Sequence, residues 1–180
     1  MTQRPPPRFY GIKTFQDSGG IYKFQYPSTW TVFQLADERD GVMISPDREP
    51  PANWVSAWKT DLGESVVAED LPDLRAGLDE GLARLGEQFT VEAAREEVMG
   101  NLIKLERIHS FEQDGQRRRR RQWVLYVDHW QIVLMYQGAS LEEYDYWLAM
   151  ANYSFYTFDL PTQLWFAADR DLSGLATRSR

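Results

Sequence analysis

Between Asn101 and Asp128 two strand-length runs are separated by Asp114-Gly115. Asp-Gly between alternating apolar residues is a strong hairpin signal, because both residues tolerate the left-handed backbone of a type I′ turn. A two-residue turn fixes the register. Gln113 then faces Gln116, Glu112 faces Arg117, Ser110 faces Arg119 and Ile108 faces Arg121. His109 falls opposite Arg120, and Leu105 and Ile103 meet Val124 and Tyr126 on the core face. A third run, His129–Gln137, extends the hairpin into a meander, with Asp128-His129 at the second turn. A chain carrying this segment must build an antiparallel sheet around it.

The middle strand opens with five arginines, "QRRRRRQWVLYVD". Alternation sends Arg117, Arg119 and Arg121 to one face, with Trp123 beside them as a stacking surface, so these four are the candidate contact for an anionic partner. The whole chain carries a net charge of −7. Without the arginine run the remainder is more negative still, and an acidic body repels a polyanion at long range. The competing reading is a solvated hairpin tip, balanced by Glu112 and Asp114, whose charges keep a strand from edge pairing. The second reading predicts arginines that are largely exposed, loosely paired with Glu112 and other carboxylates, and no nucleic-acid partner.

The remaining elements follow from periodicity. "IYKFQY" alternates Tyr22, Phe24 and Tyr26 against Lys23 and Gln25, a half-buried strand. "TWTVFQL", "GVMIS" and "WVSAWK" are further strands, the last with Trp54, Ser56 and Trp58 on one face and Val55 and Ala57 on the other. Leu71, Leu74, Leu78, Leu82 and Leu85 recur at steps of three and four and predict a helix over about 71–86. Asp70 is its cap, Pro72 sits in its first turn, Gly86 is its stop, and Asp79, Glu80, Arg84 and Glu87 lie toward solvent. "FTVEAAREEV" reads as a strand or strand pair. A second helix starts at Ser140 with Glu143 three residues on, a capping box, and runs to about 152 on a stripe of Leu141, Tyr144, Leu148 and Ala151 widened by Trp147. "SFYTF" is expected to close as a strand. Residues 1–19 read as an extended tail, 20–160 as one domain, and 161–180 as an extension that packs one aromatic anchor and frays.

The chain has no cysteine, which excludes disulfides, thiolate chemistry, cysteine metal sites and a cysteine-linked lipid anchor. The start, "MTQRPPPRFYG", has no apolar core of a secretory signal, and no run has membrane-spanning length, so a cytoplasmic chain without membrane contact is expected. The only histidines, His109 and His129, lack metal-binding spacing. Glu96-Glu97 and Glu142-Glu143 are adjacent and diverge, unlike an acid–base pair. Phosphate-loop, dinucleotide and nucleophile-elbow motifs are absent. No catalytic, cofactor-binding or metal-ligating residue is assigned.

"FQYPSTW" (24–30) has the form Phe-x-Tyr-Pro-x-x-Trp. Placed before this order of elements, with Ser154-Phe155 after the last helix, it resembles the Mog1/PsbP-like family over roughly residues 20–160. That family includes a Ran-binding protein, the extrinsic PsbP subunit of photosystem II and many bacterial proteins. The resemblance implies an α+β fold, an α/β/α sandwich with a central antiparallel sheet. It also implies an accessory role rather than catalysis, and it transfers no site residue. The leading expectation is a non-enzymatic protein-binding module with no cofactor. The alternatives are an anionic-ligand or nucleic-acid binder using the arginine hairpin 116–123, and a small-molecule enzyme with an aromatic pocket. Self-association is open.

Overall fold

A computed structural model describes residues 4–35, 39–85 and 88–169. Nine strands and three helices alternate as the order of apolar runs suggests: β1 Ile12–Gln16, β2 Lys23–Pro27, β3 Thr31–Gln34, β4 Gly41–Ser45, β5 Trp54–Asp61, α1 Leu71–Ala83, β6 Thr90–Met99, β7 Leu102–Gln113, β8 Gln116–Val127, β9 Trp130–Gly138, α2 Leu141–Tyr156 and α3 Thr162–Ala168. β1 and β2 form a small hairpin. The other seven strands form one sheet in the order β3-β4-β5-β9-β8-β7-β6, with every pair antiparallel.

The hairpin register holds at every pair expected from the Asp-Gly turn, from Gln113–Gln116 back to Ile103–Tyr126. Asp114 and Gly115 both have positive φ, 54° and 71°, as the turn requires. Asp128, at φ 51°, opens the two-residue turn from β8 into β9, in which His129 keeps negative φ.

Period-two alternation gives the sheet two apolar faces, each with its own core. One face buries Val55, Ala57, Leu125, Val127, Ile132, Leu134 and Tyr136 beneath α2, α3 and the β1–β2 hairpin, which contributes Tyr22, Phe24 and Tyr26. Trp30, the last residue of "FQYPSTW", meets Trp147 of α2 edge to face at 5.8 Å. The other face buries Ile103, Leu105, Val124, Tyr126 and Val133 against Leu71, Leu74 and Leu78 of α1. The architecture is therefore the α/β/α sandwich with a central antiparallel sheet. The β1–β2 turn is tied to β5 by Lys59, whose Nζ lies 2.6 Å from Asp17 and 2.8 Å from Asp40.

α2 lies unusually close to β9, and glycine is the reason. A Cβ on Gly138 would stand 2.5 Å from the backbone nitrogen and Cα of Tyr144, where no neighbouring side chain can swing aside. The Tyr136 hydroxyl crosses the same seam and donates to the Tyr144 carbonyl at 2.7 Å. Gly138→Ala should push the helix off the sheet and cost about 1–3 kcal/mol, read as a fall in urea midpoint.

Several expectations are corrected. Residues 12–16 form β1 and pair with β2, so the tail expected over 1–19 contributes a strand. Residues 154–156 continue α2 rather than forming a strand, because Ser154 and Phe155 fall on its buried stripe. The segment after Pro161 is anchored by Leu164 and Ala168, both buried, while its aromatics Trp165 and Phe166 are exposed. α1 ends at Ala83, and Leu85 is exposed rather than on the stripe. Asp70 is the N-cap residue of α1, as expected, but its carboxylate accepts from the Val67 amide at 2.8 Å rather than from an amide of α1. Ser140 does cap α2, accepting from the Glu143 amide at 3.1 Å. Gly86, Glu87 and residues 170–180 lie outside the described residues.

Candidate interaction site on the arginine strand

β8 is an interior strand, paired with β7 on one side and β9 on the other. Its arginines are therefore not an edge device, and their alternation loads both faces of the sheet. Only Arg117 is exposed; the side chains of Arg118, Arg119 and Arg121 are 17%, 24% and 16% exposed. The expectation of a largely exposed run, loosely paired with Glu112, is corrected on this point. The physical reason is the third strand: Arg119 is flanked by Ser110 on β7 and Gly138 on β9, and α2 packs over the same face.

On the α2 side the candidate residues Arg119, Arg121 and Trp123 have dedicated acceptors. Glu106 of β7 receives Arg121 Nε at 2.7 Å and the Trp123 indole at 2.9 Å through one oxygen. Burial pushes the Glu106 carboxyl up, but hydrogen bonds from Trp123 and Arg121 outweigh it, and its pKa lies below the usual carboxylate range. Arg121 also donates to Asn152 of α2 and lies 4.4 Å over the Phe155 ring. Arg119 pairs with Glu92 of β6 at 2.8 Å and Asp145 of α2 at 3.2 Å. Arg117 donates to Ser110 at 2.8 Å. Trp123 meets Phe155 edge to face at 5.0 Å, and the Lys104 ammonium sits 4.5 Å from its ring. The strip is thus a charge-matched network; a phosphate would have to displace Glu92, Asp145 and Glu106.

The α1 side is drier. Arg120 lies between Phe111 and Trp54 at 4.7 and 5.5 Å and donates to Gln137. Burial, then the charge of Arg118, pulls its pKa down to about 10. His109, opposite Arg120, is 0% exposed, 5.1 Å from the Phe89 ring and 5.9 Å from that of Phe111. Burial, then the Arg120 charge, lowers its pKa to about 4, so it is neutral near pH 7. Next along β7, Arg107 is 2% exposed and clasps Asp79 of α1 at 2.8 Å and Glu96 of β6 at 3.3 Å. Asp79 faces solvent, as expected, and its carboxylate reaches back to this arginine. Among the described residues no group of three or more side chains is arranged to hold a metal ion.

Glu106 and Arg107 were not expected as organising residues. The signal for Glu106 lay in the register itself, which places it directly opposite Trp123. Arg107 falls at a core-facing position of the same alternation, between Leu105 and His109, and a charge there implies a partner from the helix above.

No family model and no curated protein matches the sequence. Solved structures do match. The cyanobacterial PsbP, CyanoP, from Synechocystis sp. PCC 6803 superposes with a TM-score of 0.64 at 12% identity, over 89% of this chain and 99% of that one. The fold is Mog1/PsbP-like. LpqN, described as involved in cell envelope biogenesis of Mycobacterium tuberculosis, matches with a TM-score of 0.56 at 12% identity, over 84% of this chain and 91% of LpqN. A Bacteroides thetaiotaomicron protein matches at 0.52 and 14% identity over 84% of this chain, which spans about half, 49%, of that protein. At such identities the likeness establishes the Mog1/PsbP-like fold and carries no residue across. Among the described residues no helix is long and apolar enough to cross a membrane.

Proposed function

We propose that this protein is a non-enzymatic accessory module that holds a partner protein by accepting an extended segment of it at β6. The observation that supports this is the form of that edge. β6 is the last strand of the sheet, ten residues long, with nine of its residues exposed, including Val91, Val98 and Met99. A long exposed edge offers a row of backbone donors and acceptors to which an extended segment can add, and beyond the irregularity at Val91/Ala93 the strand runs on unbroken to Met99. The groups with most chemical potential point the same way. His109 is sealed beneath aromatic rings, and Arg119 and Arg121 are neutralised in place.

The test uses the full chain as bait in lysate of its native cells, followed by hydrogen exchange on the captured complex. The expected result is slowed exchange of β6 amides, and at least a tenfold drop in capture by a Val91→Lys/Val98→Lys variant of unchanged circular dichroism. Thr31→Lys on the opposite edge strand, β3, should capture normally. Equal capture by the β6 variant, or a β6 edge covered by a second copy of this chain, would overturn the proposal.

A further inference from the structure

The segment Arg4–Phe9, "RPPPRF", lies along the outer side of α2 and touches it at both ends. The Arg4 guanidinium stacks 3.7 Å from the Tyr146 ring centroid and 5.5 Å from that of Trp147, and pairs with Glu143 at 2.6 Å. The Tyr146 hydroxyl donates to the Pro5 carbonyl at 2.9 Å. Phe9 meets Tyr153 edge to face at 5.3 Å. The Trp147 indole donates to the same Glu143 carboxylate at 3.0 Å, fixing it for the incoming arginine.

The lengths agree with a polyproline II strap. Three successive prolines fix φ near −65°, and each also restricts the residue before it, so the segment is held extended. Five steps at about 3.1 Å span about 15 Å. From Glu143 to Tyr153 the helix rises about 15 Å at 1.5 Å per residue. Between strap and helix there remains a cavity of about 580 Å³, floored by Trp30, Pro46, Trp147 and Met150. The strap therefore occupies the rim of an aromatic groove and leaves its floor open.

We infer that this groove binds an arginine-led polyproline segment of a partner protein, and that the chain's own Arg4–Phe9 is an intramolecular occupant competing for it. The chemistry is on display in the strap itself. A tyrosine hydroxyl reads a carbonyl that proline leaves free, aromatic faces take rigid pyrrolidine rings, and a carboxylate selects the arginine. Both anchors of the strap, Arg4 and Phe9, are exposed, and an exposed cation–π contact contributes only about 0.5–1 kcal/mol. The strap can thus exchange with a ligand that also fills the floor. This surface is separate from β6 and stands without the proposal made for that edge.

The probe is a fluorescein-labelled peptide of sequence Arg-Pro-Pro-Pro-Arg-Phe, titrated by anisotropy against full-length protein. An Arg4→Ser/Phe9→Ser variant, in which the strap loses both anchors, should bind the peptide at least tenfold more tightly than wild type. Tyr146→Phe in that background removes one hydroxyl without disturbing packing and should weaken binding several-fold. Trp147→Ala should abolish it. The control peptide Arg-Gly-Gly-Gly-Arg-Phe should bind at least tenfold more weakly than the proline peptide. Equal affinity of wild type and released variant, no binding to either, indifference to Tyr146→Phe, or equal binding of the glycine peptide would each overturn the inference.

Discussion

Arg107→Ala is expected to lower stability by about 2–5 kcal/mol, because it empties the volume of a large buried side chain and unpairs two carboxylates that reach water. Among the described residues Arg107 is the largest fully buried side chain. Its guanidinium holds Asp79 and Glu96 and donates to the carbonyls of Glu106 at 2.9 Å and Arg95 at 3.4 Å, so truncation strips partners from four acceptors and leaves a void. Asp79 raises the Arg107 pKa through its hydrogen bond, against burial, so the cation is firmly held. Arg107→Met leaves Asp79 and Glu96 unpaired as alanine does, but it keeps most of the volume and should cost less by what the void would have cost. Asp79→Ala should destabilise clearly, and the neighbouring Glu80→Ala, on an exposed side chain, by no more than about half a kcal/mol. Urea midpoints for the four variants decide it. Equal losses for alanine and methionine would show that volume has little part, and equal losses for Asp79→Ala and Glu80→Ala would mean that the clasp adds nothing.

Stability should also fall by about 2 kcal/mol between pH 7.5 and pH 5 through His109 alone. A free histidine titrates near 6.5, whereas burial and Arg120 hold His109 at about 4. The unfolded chain therefore takes up this proton first as the pH drops. Stability is full above about 6.5, falls from there towards about 4, and is flat below, a total of roughly 3 kcal/mol at 1.36 kcal/mol per pKa unit. Measuring at pH 5 keeps the window above the range in which Glu106, with its lowered pKa, gives up its contribution. His109→Leu should match wild type within about 1 kcal/mol at pH 7.5, because both imidazole nitrogens are buried without a hydrogen-bond partner and little is lost by removing them. It should lose markedly less on acidification. Parallel losses in the two proteins would overturn this account.

The antiparallel sheet was legible because one turn fixed it. Asp114-Gly115 set eleven cross-strand pairs, and the alternation of Tyr22, Phe24 and Tyr26 and of Val55 and Ala57 marked the buried faces. The arginines were misjudged because the meander was read without its covers: β6 supplies Glu92, and α2 lies above with Asp145 and Asn152. Beneath those covers the same charges are half-buried and must be matched. Ser154-Phe155-Tyr156 misled because aromatic residues favour strands, yet Phe155 continues the buried stripe of α2 and tertiary packing decides. The groove beneath Arg4–Phe9 was beyond reach, since nothing local joins "RPPPRF" to Tyr146, about 140 residues away, a distance that pattern rules over a few turns cannot span.

The β5–β9 ladder has a consequence for how the chain is made. It joins eight residues before α1 to the strand that closes the meander. That pairing closes a loop of roughly 70–80 residues, and the entropy of closure must be overcome before any contact in it is rewarded. β7, β8 and β9 are linked by two-residue turns and can assemble among themselves in microseconds to milliseconds. The β3–β4–β5 ribbon must wait for them. During synthesis it leaves the ribosome before the meander, so the core around Val42, Ile44, Val55 and Ala57 has the aromatics of the β1–β2 hairpin to hand but waits for Leu134, Tyr136 and α2 to be completed.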